Sequence, residues 1–207
     1  MRYYISDLHF FHEALLTKMD CRGFEDVDQM HQYMIEQWNK KVGPQDEVVI
    51  LGDISMERGK KTSDLLEQLH GRLYLILGNH DKFVEGRRFD ASRFEWIQPY
   101  AELNDNGRKV ILSHYPIMFY NGQYRLDKEG KPATYMLYGH VHNSRDEILI
   151  NSFIRQTSQT AFQGFQGEER RIPCQMINCF CMFSDYQPLT LDEWILVDRE
   201  RRRKLDL

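Results

Sequence analysis

Five short apolar runs in this sequence each end on a residue that can bind a metal ion or move a proton. Tyr3-Tyr4-Ile5-Ser6 leads into Asp7 and His9, Val48-Val49-Ile50-Leu51-Gly52 into Asp53, and Tyr74-Leu75-Ile76-Leu77-Gly78 into Asn79, His80 and Asp81. Val110-Ile111-Leu112-Ser113 leads into His114, and Tyr135-Met136-Leu137-Tyr138-Gly139 into His140 and His142. The donors are carboxylate oxygens, an amide oxygen and imidazole nitrogens, without a thiolate. Such a set suits Mn, Fe, Zn, Ni or Mg rather than copper(I) or an iron–sulfur cluster. There are more of them than the three or four protein ligands taken by one ion with an open position, so a pair of divalent ions is the natural reading.

The elements that must position these groups follow from the same pattern. Apolar runs stopped by glycine read as buried strands, and in an open α/β sheet the carboxyl ends of parallel strands open onto one crevice. Residues far apart in sequence would therefore converge there. Asp7 and His9 are two apart, which in extended backbone puts both on one face with about 6–7 Å between Cα atoms.

Between the first two strands, Asp26 to Lys41 carries Met30, Tyr33, Met34 and Trp38 at helical spacing, with Asp26 and Gln29 in the form of a capping box. A second helix is expected from Thr62 or Ser63, as cap, to the stop at Gly71, which makes a strand–helix–strand unit and hence parallel strands. Asn104-Asp105-Asn106-Gly107 between Tyr100–Leu103 and Lys109–Leu112 signals an antiparallel hairpin. Farther on, the expectations are a helix over Asp146–Gln156 with Ile148, Leu149 and Phe153 on one side, and a final strand over Cys174–Phe183. A short helix should start at the Thr190/Glu193 capping box, and the basic end Arg199–Lys204 should be solvated. In the polar stretch 157–171, Phe162 and Phe165 are either a lid or loop anchors, and His31 and His70 read as surface residues.

A chain of 207 residues, 42% apolar and 13% aromatic, suits one domain spanning 1–207. A net charge of −4 and a pI near 6.1 give no basic field, which argues against nucleic-acid polymers and anionic membranes as partners. No apolar run approaches the roughly 20 residues of a membrane span. The first strand begins so close to Met1 that a signal peptide has no room, and a cytoplasmic location is expected. In a reducing compartment Cys21, Cys174, Cys179 and Cys181 are free thiols, the last three reading as small hydrophobes on a strand.

Asp7-x-His9, Gly52-Asp53, Gly78-Asn79-His80-Asp81, His114 and Gly139-His140-x-His142 together resemble the motif set of the calcineurin-like metallophosphoesterases, in that family's order. Size and Asp7-Leu8-His9-Phe10-Phe11-His12 are closest to its small, cap-less bacterial or phage-type members. The resemblance implies an α/β fold, a four-layer α/β/β/α sandwich with two metal ions at strand ends. It implies one ion on Asp7, His9, Asp53 and His142, and a second on Asp53, Asn79, His114 and His140, with Asp53 bridging. It implies hydrolysis of phosphate esters by a hydroxide between the ions, with His80 placed to donate a proton to the leaving oxygen or to hold the phosphoryl group and Asp81 to orient it. A short chain with an open crevice and an acidic balance favours small phosphodiesters. His12 and Arg58 are candidate contacts to substrate. Two other readings remain open at this stage: a nuclease acting on DNA or RNA, and a non-catalytic interaction protein on the same fold.

Overall fold

The computed structural model describes residues 1–164, 167–171 and 174–204. The strands are β1 (Arg2–Ile5), β2 (Glu47–Ile50), β3 (Arg72–Ile76), β4 (Phe94–Gln98), β5 (Tyr100–Asp105), β6 (Arg108–Ser113), β7 (Thr134–Tyr138), β8 (Phe162–Gln163), β9 (Glu169–Arg170) and β10 (Met176–Asn178). The α-helices are α1 (Ala14–Thr17), α2 (Val27–Lys41), α3 (Lys60–Leu66), α4 (Arg145–Gln159) and α5 (Leu191–Lys204). One four-stranded sheet has the order β1-β2-β3-β4 and is parallel throughout. The other has the order β10-β7-β6-β5, in which only the β5–β6 hairpin is antiparallel. At the hairpin tip Asn106 (φ 49°) and Gly107 (φ 82°) are both left-handed, as a two-residue turn between twisted strands requires.

Alternate residues of each strand enter different apolar layers, which is why the strands read as unbroken hydrophobic runs. Tyr3, Ile5, Val48, Ile50, Leu73 and Leu75 pack outward against Met30, Met34 and Trp38 of α2 and Leu65 and Leu66 of α3. Tyr4 and Val49 pack inward against Val110, Leu112, Tyr135, Leu137 and Ile177 of the second sheet. That sheet's outer residues, Ile111, Met136, Tyr138 and Met176, meet Ile150 and Ile154 of α4. Three apolar layers between four layers of secondary structure make an α/β/β/α sandwich, as expected. α5 closes the edge where β1 and β10 lie side by side: Trp194 is fully buried and its indole N–H donates to the Tyr4 carbonyl at 2.8 Å.

Several local expectations are corrected. α3 begins at Lys60 behind Gly59, and Thr62, meant as its cap, is buried inside the helix and donates to the Glu57 carbonyl at 2.8 Å. The last strand pairs with β7 only over Met176–Asn178. The chain then crosses to the other sheet, where Ser6 N donates to Cys179 O at 2.9 Å and Cys181 N to Ser6 O at 3.1 Å, and a 3-10 turn follows. α4 is rotated from the expected face, burying Glu147, Ile150, Asn151 and Ile154 and leaving Ile148 60% and Leu149 56% exposed. The rotation is set by polar contacts: Glu147 accepts from the Tyr138 hydroxyl at 3.0 Å, Asn178 Nδ2 at 3.1 Å and Arg201 at 3.0 Å.

The basic end is thus not simply solvated. Arg201 lies over the Phe183 ring, and Arg202 pairs with Asp198 at 2.7 Å and caps the Met176 carbonyl at 2.9 Å. His31 is buried, and its Nε2 accepts from Phe11 N at 2.7 Å, whereas His70 is exposed. The four cysteines are free, Cys21 exposed and the others buried. Phe162 forms part of a small β8–β9 hairpin, 5.4 Å from the Tyr124 ring, and Phe165 lies outside the described residues. Among the described residues no helix is long and apolar enough to cross a membrane.

Candidate metal centre

All the candidate ligands follow carboxyl ends of strands: Asp7 and His9 after β1, Asp53 after β2, Asn79 after β3, His114 after β6, His140 and His142 after β7. Asp7, His9, Asp53, His140 and His142 have φ between 48° and 71°, in the left-handed region. Glycine is the usual occupant of that region, and Asp and His enter it at a cost of order 1 kcal/mol each. Here the side chain is needed, so the strain is tolerated at five donor positions. Neighbouring glycines supply the room: a Cβ on Gly139 would lie 2.6 Å from Asp7 Oδ2, and one on Gly78 would fall on the Asp53 carboxylate.

The side chains form two clusters. Asp7, His9 and His142 offer donor atoms within 4.8 Å of one another, and so do Asp53, His114 and His140. Asp53 stands between the clusters, its Oδ2 3.5 Å from His9 Nε2 and 3.4 Å from His114 Nε2. In the first cluster His9 Nε2 and His142 Nε2 are 3.1 Å apart, and His142 Nε2 is 3.7 Å from Asp7 Oδ1. In the second, Asn79 Oδ1 lies 3.1 Å from His114 Nε2. Asp7, His9, Asp53 and His114 are almost wholly buried, while His140 is exposed and opens the cluster to solvent.

This donor set fits divalent ions. Burial depresses the His9 imidazole to about 3, so it presents a lone pair at neutral pH. Burial would also depress His114, but the Asp53 and Asp7 carboxylates outweigh it and push His114 up to about 9. Burial would raise Asp53, but His114 and His9 hold it down at about 2. The carboxylates therefore draw positive charge into the cluster, and in the ion-free protein a proton on His114 supplies it. A metal ion binding there must displace that proton. Leu51 O, 2.8 Å from His114 Nδ1, accepts the other ring proton and leaves Nε2 for the ion.

The backbone around the clusters is pinned by their own neighbours. Asp7 accepts from His140 N at 2.9 Å, which ties a β1 ligand to a β7 ligand across the two sheets. Asp53 Oδ1 accepts from His80 N at 2.8 Å. Asp81 does not contact the His80 ring, contrary to the role expected of it. Its carboxylate accepts from Asp53 N (2.9 Å), Ile54 N (2.8 Å) and Gly78 N (2.8 Å), and so it holds the β2 and β3 turns together. His80 itself is half-buried with its ring centroid 5.3 Å from that of His9.

A cleft of about 390 Å³ opens over the clusters, lined by His9, His12, Asp53, Asn79, His80, His140 and His142 together with Met19, Asp20 and Asp146. His12 is thus at the cleft, 5.6 Å from the His9 ring. Arg58 is exposed on the loop before α3 and is not part of the lining. Residues that sequence reasoning passed over are Asp20, whose Oδ1 lies 2.7 Å from His142 Nδ1, and Asn178, which donates to the His142 carbonyl at 2.9 Å. Tyr115 was likewise missed; it is 49% exposed with its ring 4.5 Å from His140. Asp20 follows no apolar run, so no pattern marked it.

A sequence profile of the calcineurin-like phosphoesterase superfamily domain matches residues 3–154, and the chain belongs to that family. Members are generally metal-dependent phosphoesterases, in keeping with the two donor clusters. The chain is 36% identical over 148 residues to the uncharacterized protein MJ1445 of Methanocaldococcus jannaschii, a match covering 70% of this chain and 72% of that protein. It is 34% identical over 163 residues to the Gene 66 protein of Mycobacterium phage D29, covering 68% of this chain and 78% of the phage protein. Among solved structures, AQ665 of Aquifex aeolicus, a protein of unknown function, shares the fold with a TM-score of 0.61 at 23% identity, over 93% of this chain and 96% of its own.

Proposed function

We propose that the protein hydrolyses small phosphate esters, diesters in preference to monoesters, with two divalent ions held by Asp7, His9, Asp53 and His142 on one side and Asp53, Asn79, His114 and His140 on the other. The observation that carries this reading is the position of Asp53 Oδ2, 3.5 Å from a histidine of one cluster and 3.4 Å from a histidine of the other. One carboxylate oxygen so placed faces the donors of both clusters, while Oδ1 is held by the His80 backbone N–H. Bound there, the ions supply Lewis acidity at phosphoryl oxygens and make water acidic enough to serve as nucleophile near neutral pH.

The chain's own contribution is positional. His80 stands at the cleft wall, its backbone tied to Asp53, and its imidazole is the group that donates a proton to the leaving oxygen. His12, at the rim, meets the substrate. The preference for diesters rests on charge. Asp20, Asp53 and Asp146 line the cleft and Asp7 is buried beneath it, in a chain of net charge −4, and a diester brings one negative charge where a monoester brings nearly two. The same acidity disfavours long nucleic acid, which needs cationic side chains to release its counterions.

The test is kcat/KM for bis-p-nitrophenyl phosphate against p-nitrophenyl phosphate, after chelation and reloading with Mn or Zn counted by metal analysis. The reading predicts two ions per chain and faster diester hydrolysis. Two bound ions with no turnover of either ester would overturn the enzymatic reading, and a clear monoester advantage would overturn the preference.

A further inference from the structure

His142 is held by two groups that do different things. Its ring stacks on Phe180, with centroids 4.6 Å apart and planes 26° from parallel, which fixes the plane of the imidazole but is indifferent to where the proton sits. Its Nδ1 is 2.7 Å from Asp20 Oδ1, and a carboxylate can only accept, so this contact puts the proton on Nδ1 and turns the Nε2 lone pair inward. On His114 the Nδ1 proton is taken by a backbone carbonyl, that of Leu51. Asp20 lies between α1 and α2, in a segment that supplies no ligand.

Asp20 is itself anchored. Its Oδ2 accepts from Arg22 Nε at 3.1 Å and Nη2 at 3.0 Å. Arg22, whose side chain is wholly buried, also donates to Leu8 O at 2.6 Å and Asp7 O at 2.9 Å. One guanidinium thus connects the carboxylate behind His142 to the backbone that carries Asp7 and His9. Asp7 and His142 of the first cluster bond directly to this pair, and His9 follows Leu8 on the same braced backbone. A buried arginine is costly unless its donors are satisfied, and here the side-chain hydrogen bonds go to Asp20 and to the backbone of Asp7 and Leu8.

We propose that Asp20, braced by Arg22, is a positioning residue. It fixes His142 as the Nδ1–H tautomer and sets the affinity of the Asp7–His9–His142 cluster for a divalent ion, leaving the Asp53–His114–His140 cluster to Leu51. The proposal rests on reading these clusters as metal sites. It goes beyond that reading in assigning control of one site, and not the other, to a loop outside the family's motifs. Partners behind metal-binding histidines are generally worth 10–100-fold in affinity.

The experiment compares wild type, Asp20→Ala and Asp20→Asn after chelation. Calorimetric titration with Mn(II) alone gives the affinity at each site, and nitrogen-15 NMR of the His142 ring in the metal-free protein gives its tautomer. The expected result is loss of about 10–100-fold at one of two sites in Asp20→Ala, a smaller loss in Asp20→Asn, which keeps an acceptor, and a shift of the His142 proton from Nδ1 toward Nε2. A merely structural Asp20 would lower the melting temperature of the metal-free protein without moving the ring signals. Should Asp20→Ala fail to fold, Asp20→Asn decides by the same two measurements. Unchanged affinity and tautomer in the folded variants overturn the proposal. Absence of Mn(II) binding by the wild type is a different failure, for it overturns the metal-centre reading beneath it.

Discussion

The two sheets contribute unlike chemistry to the same site. Strand ends of the first sheet bring Asp7, His9, Asp53 and Asn79, which include every carboxylate and amide oxygen of the donor set, and those of the second bring only the imidazoles of His114, His140 and His142. Each cluster mixes the two: Asp7 and His9 face His142, and Asp53 faces His114 and His140. Neither sheet alone holds an ion site. Both carboxylates come from one sheet and three of the imidazoles from the other, so the two clusters form only where the sheets pack together.

The sharpest way to break this arrangement is at the residue shared by both clusters. Asp53→Ala is expected to abolish turnover and to lose at least one ion, because two dications would then lack the carboxylate between them. Metal analysis decides it, and two retained ions with wild-type turnover would refute the bridging role. Next in size is His80→Ala, expected to keep both ions yet lower kcat by roughly 10²–10⁴, the range for a positioned general acid. The loss should shrink for nitrophenolate leaving groups, which hardly need protonation. Equal losses on good and poor leaving groups would assign His80 to holding the phosphoryl group instead.

A subtler break distinguishes the apolar layers. Leu137→Ala in the central layer and Met30→Ala in the outer layer each remove a fully buried side chain, and each should cost about 2–5 kcal/mol of stability. Only the first lies between the sheets that share the clusters. At matched loss of stability, measured by denaturant unfolding, Leu137→Ala should weaken metal binding and Met30→Ala should not. Equal metal affinities would mean that the site is held by its loops rather than by the sheet packing.

This division also explains what could be read in advance. Ligand-type residues directly behind apolar runs are visible as a pattern, because a buried strand and the group it delivers are adjacent in sequence. The strands were legible for the same reason, since strands buried on both faces read as continuous runs, whereas the four layers followed from the resemblance of the motifs to a family. What escaped notice was fixed by contacts between distant residues. The rotation of α4 depends on Glu147 meeting Tyr138, Asn178 and Arg201, and the end of β10 depends on Ser6 of the other sheet. Asp81 sits beside His80 in sequence but turns to the backbone amides of Asp53 and Ile54 after β2, a choice that adjacency cannot reveal.

The smallest predicted effect concerns the proton that precedes the metal. In the ion-free protein burial opposes a charge on His114, yet Asp53 and Asp7 outweigh burial and raise its pKa to about 9. At pH 7 the ring is therefore charged, and an ion entering the Asp53–His114–His140 cluster must expel a proton before it can use Nε2. Below pH 9 the apparent affinity of this cluster should climb with pH by up to tenfold per unit, levelling off once the free protein has lost the proton. His9, depressed to about 3 by burial, is already neutral, so the other cluster should owe no such dependence to that ligand. Calorimetric titration at pH 7 in buffers of different ionisation enthalpy measures the release directly. About one proton per chain is expected. Release of none at pH 7 would mean that His114 is neutral before the ion arrives, and that the carboxylates of the first sheet do not reach across to charge the second.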